Sequence, residues 1–586
     1  MKGAEEAATP TTRDVALLLA EIGLLLELNG QDPFRAKAFT TAARFLEGAD
    51  VDLHRLAKQK RLERLRGVGP AIASIIGEYL STGSSELQQE LRAGTPLTLY
   101  DLLRVEGLGA RRIHTLREKL GIEDLDSLEE AARTGRIAPL PGFGRKTEER
   151  DGIGFARSNR QLRRYPEALE IAVRLLVWLR ERPDVQRAEI AGDLRRRLEV
   201  VDQIVLLAAT TKPARALAAF RALNGAHTDR PEGRGEATIR LRDGVSVRLR
   251  CVPAGSFEGA FLWETGNETH LRDLEAIAET AGLTLGPSGL SKAGRKLAVR
   301  TERGLYERLG MPYIPPELRE GLGEVAGAWA GEVPRLVELT DLRGTFHCHT
   351  TASDGKASLE DMAEGARARG WEYLGIADHS RNASYAGGLS VTQVLRQHED
   401  IDGLNASLAA DGRAPLHLFK GIESDILANG DLDYPAGILA RFDYVVGSVH
   451  SLFRMDERTM TKRMVRAVRN PALTMLGHPT GRLLLTRSGY PLDISRVLKA
   501  AAAAGVVIEI NANPHRLDLN WRYVREAAQL GIVIAINPDA HSVAALDHVA
   551  FGVNMARKAG LEPRQILNTW TLDEVREYFS TRKEVR

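Results

Sequence analysis

Cysteine is almost missing from this chain: Cys251 and Cys348 are the only two among 586 residues. So few cysteines exclude a disulfide framework and fit a reducing compartment, so a cytoplasmic location is expected. No apolar run reaches about 18 residues, which leaves no membrane-spanning helix and no expected membrane partner. The first residues, MKGAEEAATPTTRD, are polar and lack the apolar core of a signal peptide, so 1–11 is expected to be a disordered tail. An excess of one charge is lacking too. With 80 basic and 78 acidic residues the formal net charge is +2, so overall charge does not announce nucleic acid. Local charge is more informative. From Arg133 to Arg164 nine basic residues stand against three acidic ones, which suits phosphates and equally suits a solvated basic face. A chain of 586 residues implies several domains.

What the chain does have is concentrated at its carboxyl end. Seven apolar, β-branched runs each stop at a polar, metal-competent residue: FHCHT, YLGIADHS, FKGIESD, VVGSVHS, MLGHP, VVIEINANPH and IVIAINPDAH. The candidate ligands are His347, His349, Asp354, His379, Glu423, His450, His478, Asp539 and His541. Short strands separated by amphipathic helical stretches read as consecutive βα units. In a parallel barrel of such units the functional groups gather at the carboxyl ends of the strands. Any single histidine here could be structural, but ten of the 14 lie beyond residue 340 and six of those stand at expected strand ends. Mixed imidazole and carboxylate donors suit Zn²⁺ or Mn²⁺ better than Ca²⁺ or Mg²⁺ alone. Nine ligands exceed one tetrahedral site, so two to three ions are expected, with hydrolysis of a phosphate ester as their chemistry.

These motifs, with Ser353-Asp354-Gly355, Asp378-His379, Gly477-His478-Pro479 and Asp539-Ala540-His541, closely resemble the PHP (polymerase and histidinol phosphatase) family. The resemblance implies a distorted (β/α)₇ barrel over 344–580 and a trinuclear centre. One ion would take His347, His349, Glu423 and Asp539; a second Glu423, His450 and His478; a third Asp354, His379 and His541. Cys348, between two ligands on a strand, points to the other face and is expected to pack. Asn511, Asn513, His515 and Arg516 follow the sixth strand. Of these, Asn511 and Arg516 are the candidate catalytic contacts to a scissile phosphate, with ordinary loop residues as the plain alternative.

The amino-terminal half reads differently. Residues 12–90 are helical, with a break at NGQDPF, and Gly-apolar-Gly recurs three times, in LRGVGPAIASIIGEYL, VEGLGARRIHTLREKL and LPGFGRKTEERDGIGF. Such glycines permit a tight turn, and the next helix start offers free N–H groups to a phosphate without reading a base. The expected DNA contacts are Gly67, Gly69, Gly107, Gly109, Arg111, Gly142, Gly144, Arg145 and Lys146. These units resemble helix-hairpin-helix motifs, the first in 12–90 and two more in a fingers-like domain, 91–162. From 163 to 325 the chain reads α/β. Gly192, Arg195-Arg196, VDQIVLLAA, Val252-Pro253, Trp263-Glu264-Thr265-Gly266 and MPYIPPELRE resemble the palm (163–262) and thumb (263–325) of a family X DNA polymerase. With a linker at 326–343 and the barrel, nearly the whole chain resembles the bacterial family X polymerases that carry a PHP domain.

The departures bear on chemistry. Three aspartates serve the family's polymerase site; the aligned residues here are Gln203, Val205 and Arg248. Asp202 does not replace them, because one step along a strand turns a side chain to the other face. The phosphate-binding serine is replaced by Asp193, the sugar-facing aromatic pair by Trp263-Glu264, and the lyase lysine by Ile75. A two-metal transferase needs anionic oxygen ligands, and the amide, isopropyl group and guanidinium at 203, 205 and 248 supply none. The expected function is a DNA-repair protein whose barrel is a Mn²⁺-dependent 3′–5′ exonuclease and whose polymerase site is degenerate. Its expected partner is gapped, nicked or 3′-ended DNA, bound largely without regard to sequence. On these residues a dNTP is a doubtful partner, and a monomer is expected. Three other readings remain open at this point: a gap-filling polymerase using displaced carboxylates (Asp193, Asp202 or Asp243), a non-enzymatic DNA scaffold, and a small-molecule phosphatase.

Overall fold

The computed structural model describes residues 10–47, 51–96, 98–103, 105, 107–143, 150–159, 161–223, 227–228, 235–241 and 244–584. Residues 1–9 of the expected tail lie outside these. Its last residue, Thr11, caps the first helix, Thr12–Leu28. The hydroxyl accepts from the Asp14 N–H at 3.2 Å and the Asp14 carboxylate accepts from the Thr11 N–H at 2.8 Å, a reciprocal cap that satisfies two orphan donors.

The chain forms two compact units, Met1–Arg160 with Leu485–Arg487, and Gln161–Leu484 with Ser488–Arg586. In the first, helix Thr12–Leu28 buries Val15, Leu18, Leu19, Ile22, Leu25 and Leu26, the stripe expected of an amphipathic helix. Pro33 opens the next helix, Pro33–Glu47, where its missing N–H has no intrahelical acceptor to lose. A separate core around Leu99, Leu108, Ile113, Leu116 and Leu128 holds the second hairpin.

The second unit begins with helix Tyr165–Arg180 over a five-stranded sheet. Its strand order is Val185–Ala191, Gln203–Thr210, Ser246–Val252, Glu236–Arg240, His227–Thr228. The strand Gln203–Thr210 is apolar on both faces because both are covered. Ile204, Leu206 and Ala208 meet the core beneath helix Tyr165–Arg180, and Val205, Leu207 and Ala209 meet Phe257 and Phe261. A smaller core around Leu262, Leu274, Leu290 and Tyr306 follows.

Beyond it, seven parallel strands lie in sequence order: Gly344–Thr345, Tyr373–Ile376, His417–Asp425, Tyr444–Ser448, Met475–Leu476, Val507–Asn511 and Ile534–Asn537. The last meets the first. The His349 N–H donates to the Ala540 carbonyl at 2.8 Å and the Ala540 N–H to the His347 carbonyl at 3.2 Å, so the sheet is a near-closed barrel. One end of its interior is filled by Phe346, Tyr373, Phe419 and Tyr444 together with Val575 and Phe579 of the last helix, Leu572–Glu584. Phe346 stacks on Tyr373 at 5.3 Å and Tyr444 on Phe579 at 5.4 Å. Burial of each such ring contributes roughly 1.5–3 kcal/mol. Only glycine fits at 421, where a Cβ would lie 2.1 Å from the Tyr444 ring. With that end closed by aromatics, the carboxyl ends of the strands are left for polar groups.

Within this unit the sheet and the barrel are joined by buried charge. Lys558 has a fully buried side chain, donates to the Arg196 carbonyl at 3.0 Å, ion-pairs with Glu320 and lies 4.8 Å over the Trp521 ring. The stretch 326–343 is packed rather than loose: Val337 is fully buried and its N–H donates to the Leu561 carbonyl at 3.0 Å. Removing one partner of a buried pair strands the other, at a cost of about 3–5 kcal/mol. Lys558→Ala is therefore expected to lower unfolding stability by about that much in urea titrations, and Lys558→Met, which keeps most of the volume, by less. A loss below about 1 kcal/mol for the alanine variant would mean the ammonium is solvated.

Candidate metal centre

Glu423 is the hub of the polar end of the barrel. It belongs to the long third strand and its side chain is about 1% exposed. His379 Nδ1 and His478 Nε2 lie 2.9 Å from its carboxylate, His347 Nε2 and His450 Nε2 3.3 Å, and His349 Nε2 3.8 Å. Asp539 stands 3.3 Å from His349 Nε2 and 3.9 Å from His347 Nε2. Asp354 is 3.3 Å from His541 and 3.7 Å from His379. All nine residues therefore converge, although almost 200 positions separate the first from the last. The first strand proper ends at Thr345, but Cys348 bridges to Ala540, so strand alternation continues and turns His347 and His349 inward. Cys348 is fully buried in the surrounding apolar layer. His478 and Asp539 have φ of 25° and 52°, left-handed values that are uncommon for residues other than glycine.

Electrostatics hold the carboxylates ionised. Burial would raise Glu423, but His450, His347 and His379 outweigh it and hold the group well below the usual carboxylate range. Asp539 is held low in the same way, by His347 and His349 against burial. Burial would lower His450, yet Glu423 and Asp425 push it up to about 10. His349, buried and beside His541 and His379, falls to about 4 even though Asp539 opposes the shift.

The donor set fits cations. Buried nitrogens His347 Nε2, both ring nitrogens of His349, His379 Nδ1 and His478 Nδ1 make no hydrogen bond. Three groups have donor atoms within 4.8 Å of one another: His347, His349, Asp539; His379, Glu423, His450; and His349, Asp354, His379, His541. The grouping differs in detail from the one the resemblance implies, because His349 and His379 each reach two groups and His379 lies against Glu423.

Three carboxylates behind the cluster were not among the expected site residues, although Asp378 stood in the Asp378-His379 motif. Glu509, fully buried, accepts from His347 Nδ1 at 2.7 Å and from the His478 N–H at 2.7 Å. Asp425 accepts from His450 Nδ1 at 2.7 Å. Asp378 accepts from the Thr350 N–H at 2.8 Å and Gln397 Nε2 at 2.6 Å, fixing the turn that carries Asp354. A carboxylate on Nδ1 leaves the Nε2 lone pair aimed at a metal. Glu509→Gln is expected to weaken Mn²⁺ binding by about 10- to 100-fold in titrations of the metal-free protein, with secondary structure unchanged. Equal affinity in both proteins would deny Glu509 this role.

Asn511 is fully buried, with its amide nitrogen 3.1 Å from Asp539 and 3.2 Å from Glu509, so it holds carboxylates rather than facing solvent. Arg516 Nε lies 3.6 Å from Asp539 with its side chain 20% exposed, at the open side of the cluster. Asn513 and His515 shape the intervening turn: the His515 N–H donates to Asn513 Oδ1 at 3.0 Å, and His515 meets Arg164.

In the amino-terminal unit the hairpins repeat one geometry. Gly67, Gly107 and Gly142 have φ of 82°, 82° and 83°. Gly69 and Gly109 open helices Pro70–Thr82 and Ala110–Leu120 with no side-chain cap, and nothing lies within 4 Å of a Cβ built on either. Backbone donors there have room for a phosphate. Arg111, beside the second turn, has a side chain 66% exposed. Gly144, Arg145 and Lys146 lie outside the described residues.

Comparison with known proteins follows the same division. Residues 10–85 match the helix-hairpin-helix domain, 99–150 a SAM-like helix-hairpin-helix tandem, 260–320 the DNA polymerase beta thumb and 345–513 the PHP domain. Across 573 residues, 97% of this chain and 99% of the relative, it is 33% identical to the DNA polymerase/3′-5′ exonuclease PolX of Bacillus subtilis. The chain belongs to the bacterial PolX family. It is also 27% identical over 254 residues, 40% of this chain, to a probable phosphatase of Thermoanaerobacter sp. strain X514, spanning 94% of that protein. A probable phosphatase of Aeromonas salmonicida is 28% identical over 172 residues, 28% of this chain and 62% of that protein.

On the five-stranded sheet, Gln203, Val205 and Arg248 share one face, as Val205 pairs with Arg248 in parallel register. Gln203 accepts from Arg248 Nε at 3.2 Å and donates to Ser246 at 3.0 Å. Val205 is 7% exposed and packs on Gly192, where a Cβ would lie 2.9 Å from its methyl. Arg248 and Arg250 both ion-pair with Glu264, whose side chain is 4% exposed, and Arg248 reaches Glu236 at 3.3 Å. Arg196 is held by Asp193 and by Glu320 at 2.9 Å, Arg195 by Glu302 at 2.6 Å. Asp202 is exposed, and Ile75 packs against the helical core. Asp243 lies outside the described residues.

Proposed function

We propose that this chain hydrolyses DNA phosphodiesters at its barrel, as a 3′–5′ exonuclease using two to three Mn²⁺ or Zn²⁺ ions. The carrying observation is Glu423 ringed by five imidazoles whose buried nitrogens include several with no hydrogen bond, at the open ends of barrel strands. The exonuclease named in the Bacillus subtilis relative supports the reading. When bound, the ions would neutralise the charge that builds on a phosphoryl group in its transition state. His347, His349, Asp354, His379, Glu423, His450, His478, Asp539 and His541 hold them. Glu509, Asp425 and Asn511 fix the ligands, and Arg516 offers its remaining donors to a phosphate oxygen.

The palm is inactive on this reading. Two arginines balance two glutamates on the face where metal carboxylates are needed, so no net negative charge remains for Mg²⁺. The hairpins hold the DNA backbone, and the domains follow the boundaries given above, in a cytoplasmic monomer. The probable phosphatases favour a second reading, a small phosphomonoester as substrate.

One experiment separates these. A 5′-labelled primer-template is incubated with Mn²⁺, with and without dNTPs, beside a phosphomonoester. Shortened primer in both lanes is expected; an intact primer with a cleaved monoester would replace the exonuclease by the phosphatase. DNA binding should also weaken steeply with salt as phosphate contacts release counterions. Arg111→Ala should flatten the slope of log affinity against log salt by about one unit, and Arg145→Ala with Lys146→Ala by about one to two. Unchanged slopes would move the DNA surface elsewhere.

A further inference from the structure

We propose that Tyr385 is a stacking platform for the nucleobase at the 3′ end, making the barrel selective for nucleic acid over small phosphates; the proposal rests on the exonuclease reading above. Tyr385 is 71% exposed, yet it stands at the metal centre rather than on a remote surface. Its ring centroid is 6.3 Å from that of His379 and 6.5 Å from that of His450. A large aromatic ring left in water beside a catalytic cluster offers an apolar face to a ligand.

The ring is also carried on a braced turn, which a platform requires. Tyr385 lies in the short helical turn Ser384–Ala386. The Ala386 N–H donates to the Ala383 carbonyl at 2.9 Å, the Gly388 N–H to the same carbonyl at 3.1 Å, and the Leu389 N–H to the carbonyl of His379 itself at 2.9 Å. The Tyr434 hydroxyl donates to the Leu389 carbonyl. Gly387 adopts φ of 70°, and a Cβ there would meet the Ser353 carbonyl at 3.4 Å, next to the ligand Asp354. The turn is thus tied to one candidate ligand, His379, by a backbone hydrogen bond, and lies close to the residue that precedes another, Asp354. A base attached to the phosphodiester that the centre holds is a flat apolar group of the size to cover the ring, and every base has such a face, so the contact asks for no sequence. A small phosphomonoester without a ring has nothing to place there.

The test compares the wild type with Tyr385→Ala and Tyr385→Phe on two single-stranded oligonucleotides, one ending in an ordinary 3′ nucleotide and one in a 3′ abasic residue. Tyr385→Ala should raise KM about 5- to 150-fold on the ordinary end with kcat little changed, and leave the abasic end unaffected. Tyr385→Phe should keep wild-type behaviour on both. The same loss on both ends, or none on either, would overturn the proposal. A second measurement does not depend on cleavage. With Ca²⁺ in place of Mn²⁺, emission of a 3′-terminal 2-aminopurine should be quenched on binding to the wild type and Tyr385→Phe but not Tyr385→Ala; equal quenching in all three would overturn it. Quenching by a wild type that leaves both oligonucleotides intact in Mn²⁺ would refute the exonuclease reading and uphold the stacking.

Discussion

Glu423→Ala is expected to abolish Mn²⁺-dependent shortening of a DNA 3′ end while DNA binding persists. The carboxylate is a donor in one candidate metal group and lies within 3.8 Å of an imidazole of each of the other two, so its loss removes the anion around which the imidazoles gather. His379→Ala should act alike, since His379 spans two groups, reaching Glu423 at 2.9 Å and Asp354 at 3.7 Å. Elemental analysis should find less bound metal in both variants. Full cleavage by the double variant would sink the assignment. Acid should mimic the substitutions. An imidazole must be neutral to ligate, so protons compete with cations, most strongly at His450, which Glu423 and Asp425 push up to about 10, and activity should fall as the pH is lowered.

The palm should add no templated nucleotide. In a His347→Ala background, where degradation cannot hide extension, primer lengthening is expected to fall by several orders of magnitude relative to a palm with its metal carboxylates, roughly the loss expected when two-metal stabilisation is removed. The reason is visible in the ion pairs: Arg248 and Arg250 lie on Glu264, and Arg196 lies on Asp193 and Glu320, so neither metal nor triphosphate finds its counter-charge free. Robust extension would refute the claim, and its disappearance in Asp202→Ala would reveal a working but displaced site. Placing aspartate at 203, 205 and 248 together is not expected to restore activity. Glu264 would lose Arg248 and face the triphosphate with only Arg250 in compensation, and Asp193 would still oppose it.

How much of this was legible in the sequence depended on where each residue sits relative to a repeat. The convergence of the nine candidate ligands was legible because most of them stand at the end of an apolar run, and a polar residue at that point of a βα unit has one place to go. Glu509 was passed over because it lies inside a run. Its signal was there, since a carboxylate in the middle of the buried strand VIEIN must have a partner. The substitutions at 203, 205 and 248 came from the resemblance to family X polymerases, and strand alternation added only that Asp202 points to the other face. What filled the vacated face came from neither, because Glu236 and Glu264 come from a neighbouring strand and a helix, and their meeting with Arg248 depends on register between elements. Tyr385 was invisible for a related reason: a residue in a three-residue turn obeys no period, and only the backbone bonds of the turn place it.

The aromatic floor of the barrel bears on how the protein is made. Phe579, from the last helix, touches Phe346, from the end of the first strand, with ring centroids 5.5 Å apart. During synthesis the barrel strands emerge in order while the side chain that closes their interior is still untranslated. Asp539 and His541, the last of the candidate ligands in the sequence, also arrive late. The nascent barrel must therefore wait as an open, partly exposed sheet until residues 575–579 have been made and can pack into it. A stop codon or fusion joint that disturbs Val575 or Phe579 would leave its hydrophobic floor exposed and should favour aggregation over a trimmed but active nuclease.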